Sequence, residues 1–519
     1  MSLRKGSILF LIARALLAAQ APVDATFHTT TKLVQVSVVA QDKDGKPVSD
    51  LRREDFQILD NGELRDIRLF LAENGQAPRP KPPAPGTFTN GIATAEGARS
   101  GYSVILFDNL NTGFEPTARA RLKGIEALKA IPAGDKIAMY SLWCNFQVIR
   151  EFTTDRDSLL HQLERFYPAA GAVCAGSAPE EEAAPLNRAP SMADLVDPGG
   201  AIARSRATAD AARIAALQAG TITDQEMIMI ADHLAGIPGR KNLIWIAQKF
   251  PLSPVALQRL VNAGVVLYPV DAIGSTIAIE SEKEAHAAPI LALARRTGGI
   301  AYVDRDDFDV AIRESLEDGR ISYTLGFYAS DEPSPDPKAK RGGAKQPPPH
   351  QLSIRVSRPG IALRYRTSYR VEPSPPVSAN PVGELVQALN RPVDATAIGL
   401  TASATRRQDR LDLTLSFDLA SLDLTQAGGV WKGAAEVVAR FMTPEGVWAG
   451  EVISQTVTFN LKPQNFASML RSGATYHREL KIPAKAVELK LLVGQVASGK
   501  IGTLTIPLAE VEGGAAPPK

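Results

Sequence analysis

The stretch Tyr102-Ser-Val-Ile-Leu-Phe-Asp-Asn-Leu-Asn-Thr112 constrains the fold more than any other part of the chain. A continuous apolar run ends at Asp108, passes through a polar turn and leads into an amphipathic segment. An apolar run without alternation suits a strand buried on both faces, as in a parallel sheet covered by helices. The pattern then repeats. Strands are expected at Tyr102–Phe107, Lys136–Leu142, Phe146–Phe152, Asn242–Ile246, Val265–Val270 and Ile300–Val303, with helical periodicity between most of them. Alternation of this kind predicts an α/β domain over residues 100–319. Trp143-Cys144-Asn145 is too short for a crossover, so the second and third strands should form an antiparallel hairpin at one edge.

The helices follow from spacing. Leu122, Ile125, Leu128 and Ile131 mark the first, and Leu159, Leu160, Leu163 and Phe166 the second. Thr223-Asp-Gln-Glu226 reads as a capping box opening the third, which should stop near Gly236 and Gly239, and Gly264 should end a fourth. Residues 168–220 interrupt the rhythm as an Ala-, Gly- and Pro-rich insertion ending in an Ala-rich stretch that can be helical. An insertion of this length is uncommon in a compact domain.

β-rich sequence flanks this domain. Leu33, Val34, Val36, Val38 and Val39 lie in one β-rich run, and Phe56-Gln-Ile-Leu59 leads into Asp60-Asn61-Gly62, a hairpin turn. Residues 27–72 hold too few strands for a core of their own and should pair with 320–371, which contains the strand Ile321–Tyr328 and a Pro/Lys/Gly loop at 331–350. Residues 77–99 read as a linker, and 383–519 as a C-terminal β-sandwich-like domain.

Bulk properties narrow the function. The chain has 519 residues, enough for about three domains by the usual size limits, and a formal net charge of +2. That balance gives no field favouring nucleic acid, and the basic run Lys338-Ala-Lys-Arg341 reads as a solvated loop. Arg4 and Lys5 precede an apolar stretch that closes at Ala19-Gln20-Ala21, so residues 1–21 read as a signal peptide and the protein as exported, periplasmic or secreted. Arg14 interrupts the stretch. Past the leader, no segment reaches the roughly 18 apolar residues that span a bilayer. The two cysteines, Cys144 and Cys174, are too few for a metal site and are expected to form a disulfide in an oxidising compartment. None of the six histidines falls in H-E-x-x-H, and neither G-x-S-x-G nor a P-loop occurs, so no enzyme is expected.

Taken together, the chain resembles the von Willebrand factor A (vWA)-related proteins abundant in Acidobacteria. The resemblance is carried by Val48-x-x-Leu51-x-x-Glu54-Asp55-Phe56 with Asp60-Asn61-Gly62. It is carried also by Tyr323-x-Leu325-Gly326-Phe327-Tyr328, Arg358-Pro359-Gly360 and Arg366-x-x-Tyr369, together with the Asp108 junction. It implies a doubly wound, mostly parallel vWA-type sheet with one antiparallel edge strand. It also implies a Mg²⁺ adhesion site built from Asp-x-Ser-x-Ser, a Thr before the third helix and an Asp after the fourth strand. In this chain Asp108 and Thr112 match the first loop, Leu110 replaces a hydroxyl, and Thr221 or Thr223 matches the second loop. The fourth strand ends Ala247-Gln248-Lys249 without a carboxylate. A hard cation that wants six oxygens should bind such a set weakly. The expected function is protein–protein binding, with Asn109 and Asn111 on the binding face and a degenerate metal site. Two alternatives are a Mg²⁺-dependent adhesion module using Asp108 and Thr112, and a secreted hydrolase.

Overall fold

The computed structural model describes residues 33–74, 86–91, 101–131, 134–167, 198–276, 279–329, 349–370, 381–496 and 498–512. The expected signal peptide, Cys174, the run Lys338–Arg341 and the first part of the insertion lie outside the described residues.

The chain begins with β1 (Leu33–Gln41), β2 (Phe56–Asp60), β3 (Glu63–Arg65) and β4 (Leu69–Asn74). Asn61 and Gly62 both take positive φ, as the β2–β3 hairpin requires. After β5 (Thr87–Thr89), the central domain runs β6 (Tyr102–Asp108), α1 (Phe114–Ala130), β7 (Lys136–Leu142), β8 (Gln147–Thr153), α2 (Arg156–Arg165), α3 (Pro198–Leu234), β9 (Lys241–Ala247), α4 (Pro254–Asn262), β10 (Val265–Asp271), α5 (Glu280–Thr297) and α6 (Phe308–Arg320). Its sheet has the order β10-β9-β6-β7-β8; β7 and β8 are antiparallel and the other pairs parallel. Val104 and Leu106 of β6 pack with Met227, Ile230 and Leu234 of α3 and Leu257 and Leu260 of α4. Ile105 and Phe107 point the other way, into Leu128 of α1, Leu159 and Leu163 of α2 and Phe308 and Ile312 of α6. Helices therefore cover both faces of the sheet, which explains the unbroken apolar strands.

Three local expectations need correction. Ile300–Val303 does not form a strand and contributes only an isolated bridge, Val270 to Tyr302. Gly299 before it and Asp304 after it, at φ 55°, leave too little extended chain for a ladder. The third helix does not open at Thr223. α3 runs unbroken through that position, because the Ala-rich end of the insertion is itself a good helix former, and the Thr223 hydroxyl donates back to Ala219 O at 2.8 Å instead of capping. Leu122 is exposed, and α1 packs through Ala120, Gly124, Ala127 and Leu128. The ideal Cβ position at Gly124 lies 3.2 Å from the Phe107 ring, so this contact favours a glycine on that face.

The chain leaves the central domain through β11 (Ile321–Tyr328), β12 (His350–Val356), β13 (Ala362–Arg364) and β14 (Ser368–Tyr369). Two sheets, β13-β1-β11-β4 and β14-β12-β2-β3, enclose one core, with Val36 opposite Leu325 and Val38 opposite Tyr323. The central domain is thus inserted between β4 and β11. The C-terminal part comprises α7 (Pro381–Ala388), β15 (Leu400–Arg407), β16 (Arg410–Phe417), β17 (Thr425–Ala427), β18 (Val430–Met442), β19 (Trp448–Leu461), α8 (Pro463–Ser472), β20 (Ala474–Lys481), β21 (Glu488–Gln495) and β22 (Lys500–Pro507). Its sheets β20-β16-β15-β5 and β17-β18-β21-β22 share a second sandwich core, with β19 paired to β18. β5 lies within the segment expected to be a linker. Thr87-Phe-Thr89 pairs with Thr401–Ser403, and Phe88 packs on the sandwich core. The β-branched and aromatic pattern of those three residues suits an edge strand better than a tether.

Candidate functional site

The turn after β6 lies at the edge where the parallel strands β6, β9 and β10 end and the helices following them begin. Burial raises the Asp108 carboxyl to about 6, against hydrogen bonds that favour its charged form. Those bonds account for both oxygens. Oδ1 accepts from Asn111 N at 2.9 Å, and Oδ2 accepts from Asn111 Nδ2 at 2.8 Å and Trp245 Nε1 at 2.9 Å. Asn111 Nδ2 also donates to Thr223 Oγ1 at 2.8 Å. An amide nitrogen thus joins the two side chains, Asp108 and Thr223, that a cation would have to draw together.

The other expected residues are placed as follows. Thr112 Oγ1 accepts from Gln248 N at 3.2 Å, and Gln248 Oε1 accepts from Gly113 N at 2.7 Å. Asn111 O accepts from the backbone N–H groups of Gln248 and Lys249, closing the β6 turn onto the turn after β9. Thr221 is exposed and donates to Leu217 O within α3. Leu110 packs against the core beneath α3 and α4. Asn109 and Asn111, expected on a binding face, are buried instead. Asn109 turns inward to donate from Nδ2 to Ser141 Oγ at 2.9 Å, and Asn111 is consumed by Asp108 and Thr223. Cys144 lies in the turn between β7 and β8 at the same edge, whereas its expected partner Cys174 is outside the described residues.

This donor set does not fit Mg²⁺. Both oxygens of its one carboxylate are committed to N–H donors, Leu110 supplies no oxygen, and the turn after β9 offers an amide and an exposed lysine. Asn109 Oδ1 is buried without a partner among the described residues, but one acceptor does not make a six-oxygen shell. Sequence reasoning missed Trp245 and Gln248. The signal for Trp245 was present: an indole inside a buried strand must find an acceptor, and Asp108 ends the neighbouring strand.

Around this closed turn the edge carries apolar side chains. Phe114 opens α1 at 61% exposure, Val255 opens α4 at 69%, and Ile279 precedes α5 at 55%. Among the described residues, no helix is long and apolar enough to cross a membrane.

No family model and no curated protein matches the chain. Distant structural neighbours include vWA proteins. BatB from Bacteroides thetaiotaomicron shares 12% identity at a TM-score of 0.25, over 42% of this chain and 97% of that one. Manganese-loaded TRAP protein from Plasmodium vivax shares 11% at 0.24, over 55% and 97%. A von Willebrand factor type A protein from Catenulispora acidiphila shares 11% at 0.24, over 63% and 81%.

Proposed function

We propose that this is an exported, non-enzymatic binding protein, built around a vWA-type domain whose metal site is degenerate. It holds a protein partner against the edge where β6, β9 and β10 end. The observation that carries the reading is the pairing of a sealed Asp108 turn with three exposed apolar side chains, Phe114, Val255 and Ile279, each at the start of a helix or just before one. Large exposed apolar groups cost solubility and recur at contact surfaces, and these three share the edge at which β6, β9 and β10 end. Export is inferred from Arg4, Lys5 and the Ala19-Gln20-Ala21 motif. A Cys144–Cys174 bridge belongs to the same proposal, tethering the insertion beside the edge, and thiol titration of unfolded, unreduced protein should then find no free thiol.

The test is a photo-crosslinking amino acid placed at 114 and, as a control, at the exposed Val452 of β19. The expected result is a discrete protein adduct from 114 and none from 452, with a yield unchanged by EDTA. An adduct that requires Mg²⁺ would replace this reading with metal-dependent adhesion through Asp108 and Thr112. Equal labelling at both positions would remove the assigned surface.

A further inference from the structure

The end of β10 holds a cavity that the Asp108 turn does not use. It has a volume of about 170 Å³, where ~10–15 Å³ on the same measure holds one water, so it can admit the end of a long side chain. Four carboxylates line it: Asp271, Glu280, Glu284 and Asp304. Two groups of the opposite kind face them, both already engaged. His286 Nε2 lies 2.9 Å from the buried Asp271 Oδ2. Lys283 Nζ lies 3.1 Å from Asp304 Oδ2 and 4.0 Å from Glu280. With Lys283 charged and His286 counted either way, carboxylates remain in excess by two or three charges. Burial also raises the Asp271 carboxyl, so its ionised form would gain from a further cation.

The shape of the walls selects among cations. No three His, Cys, Asp or Glu side chains converge as metal ligands among the described residues, so the carboxylates are too dispersed to share a point charge. Ala287 and Val303 give the cavity an apolar wall, and Ile279 is exposed on the turn leading into α5. A methylene stem ending in a spread or mobile positive charge satisfies both features. Gly274, which also lines the cavity, takes φ +70°, and a Cβ there would come 2.2 Å from Asp306 Oδ1, so the turn after β10 favours glycine at this position.

We propose that this cavity receives a lysine or arginine side chain of the protein that docks at this edge. The assignment rests on the protein-binding reading above and narrows the partner to one presenting a basic residue beside an apolar one. The test uses the full chain with histidine ring ¹³C labelling, the His286 signal being assigned from a His286→Gln sample. N-acetyl-arginine-methylamide and N-acetyl-lysine-methylamide are titrated against the neutral citrulline derivative. The expected result is a saturable His286 shift at millimolar concentration for both cations and none for citrulline. Glu280→Gln with Asp304→Asn should weaken the cations at least five-fold; Glu280 is well exposed and Asn tolerates the positive φ at 304, so the fold should survive. A flat titration, or an equal response to citrulline, would overturn the assignment whatever the crosslink at 114 shows. Saturable arginine binding with no adduct at 114 would instead sink the protein-binding reading, and the partner clause with it.

Discussion

Asp108 occupies a position where one side chain decides between ion binding and internal bonding, and its surroundings decide for the latter. Deleting the carboxylate leaves Trp245 Nε1 and the backbone N–H of Asn111 without their acceptor in a buried site. Asp108→Ala should therefore cost about 2–4 kcal/mol in urea unfolding, from donors left without partners. This exceeds what a mere loop cap would lose. Mg²⁺ or EDTA should leave the midpoint of either protein unchanged, and a rise with Mg²⁺ that Asp108→Ala abolishes would count against the closed turn. The pH dependence has a definite sign. The folded value of about 6 lies above the ordinary 3.8, so the folded state holds this proton more tightly. Stability from this group is fully present below about pH 4 and is lost as pH rises through about 6. A shift of about two units corresponds to roughly 3 kcal/mol. Asp108→Asn should flatten the stability profile between pH 4 and 6, and a profile as steep as that of the parent would show that another carboxyl carries the slope.

At the scale of elements, much of the layout was legible because most strands of the central sheet announce themselves. Lys136–Leu142 is the β7 strand to the residue, and Tyr102–Phe107 falls one residue short of β6. What was not legible depends on partners far away in sequence. The capping-box pattern at Thr223 is locally valid, but a helix already running from Pro198 overrides it, and the threonine bonds back along the helix. Thr87-Phe-Thr89 is too short to be read as a strand until Thr401–Ser403 is beside it. The amide of Asn111 could not be assigned a role without knowing that Thr223 faces it. The end of α3 makes a further prediction. An ideal Cβ on Gly236 would lie 1.9 Å from Thr396 O, on a segment that cannot yield. Thr396 N donates to Asp232 O, and Thr396 Oγ1 donates to His233 O while accepting from Gly236 N. Gly236→Ala should cost about 1–3 kcal/mol by overpacking and raise amide exchange around Ala395 and Thr503. Gly399→Ala, whose Cβ would meet only the Asp418 Cβ at 3.6 Å, serves as the mild control. Equal effects from the two would mean that the α3 end is not a tight junction.

At the scale of the whole molecule, the units are joined by buried polar locks. One of them is Arg240, fully buried between the central sheet and the N-terminal sandwich. Its guanidinium donates to Asn242 Oδ1 at 2.9 Å, to Ser37 Oγ of β1 at 3.0 Å and to Tyr268 OH of β10 at 2.6 Å. Tyr268 passes the network on to Asp318 at 2.7 Å, and Arg364 of β13 pairs with the same carboxylate. Glu73 of β4 accepts from Arg240 N at 3.2 Å, and burial raises its carboxyl. A buried ion network of this kind adds little stability over a well-packed apolar core, but losing one member leaves the others unpaired in a dry site. Arg240→Met keeps the volume and removes the charge, so it should cost about 3–5 kcal/mol. The loss should fall on the junction, with the N-terminal sandwich protected less than the central domain in hydrogen exchange. Asp318→Asn should cost less in this background than in the parent, because with Arg240 gone the Asp318 carboxylate has only Arg364 left to balance. The double-mutant cycle among the parent, the two single variants and the double variant isolates that coupling. Strict additivity of the two substitutions would show that Arg240 and Asp318 act separately, and that the sandwich is held to the central domain by packing alone.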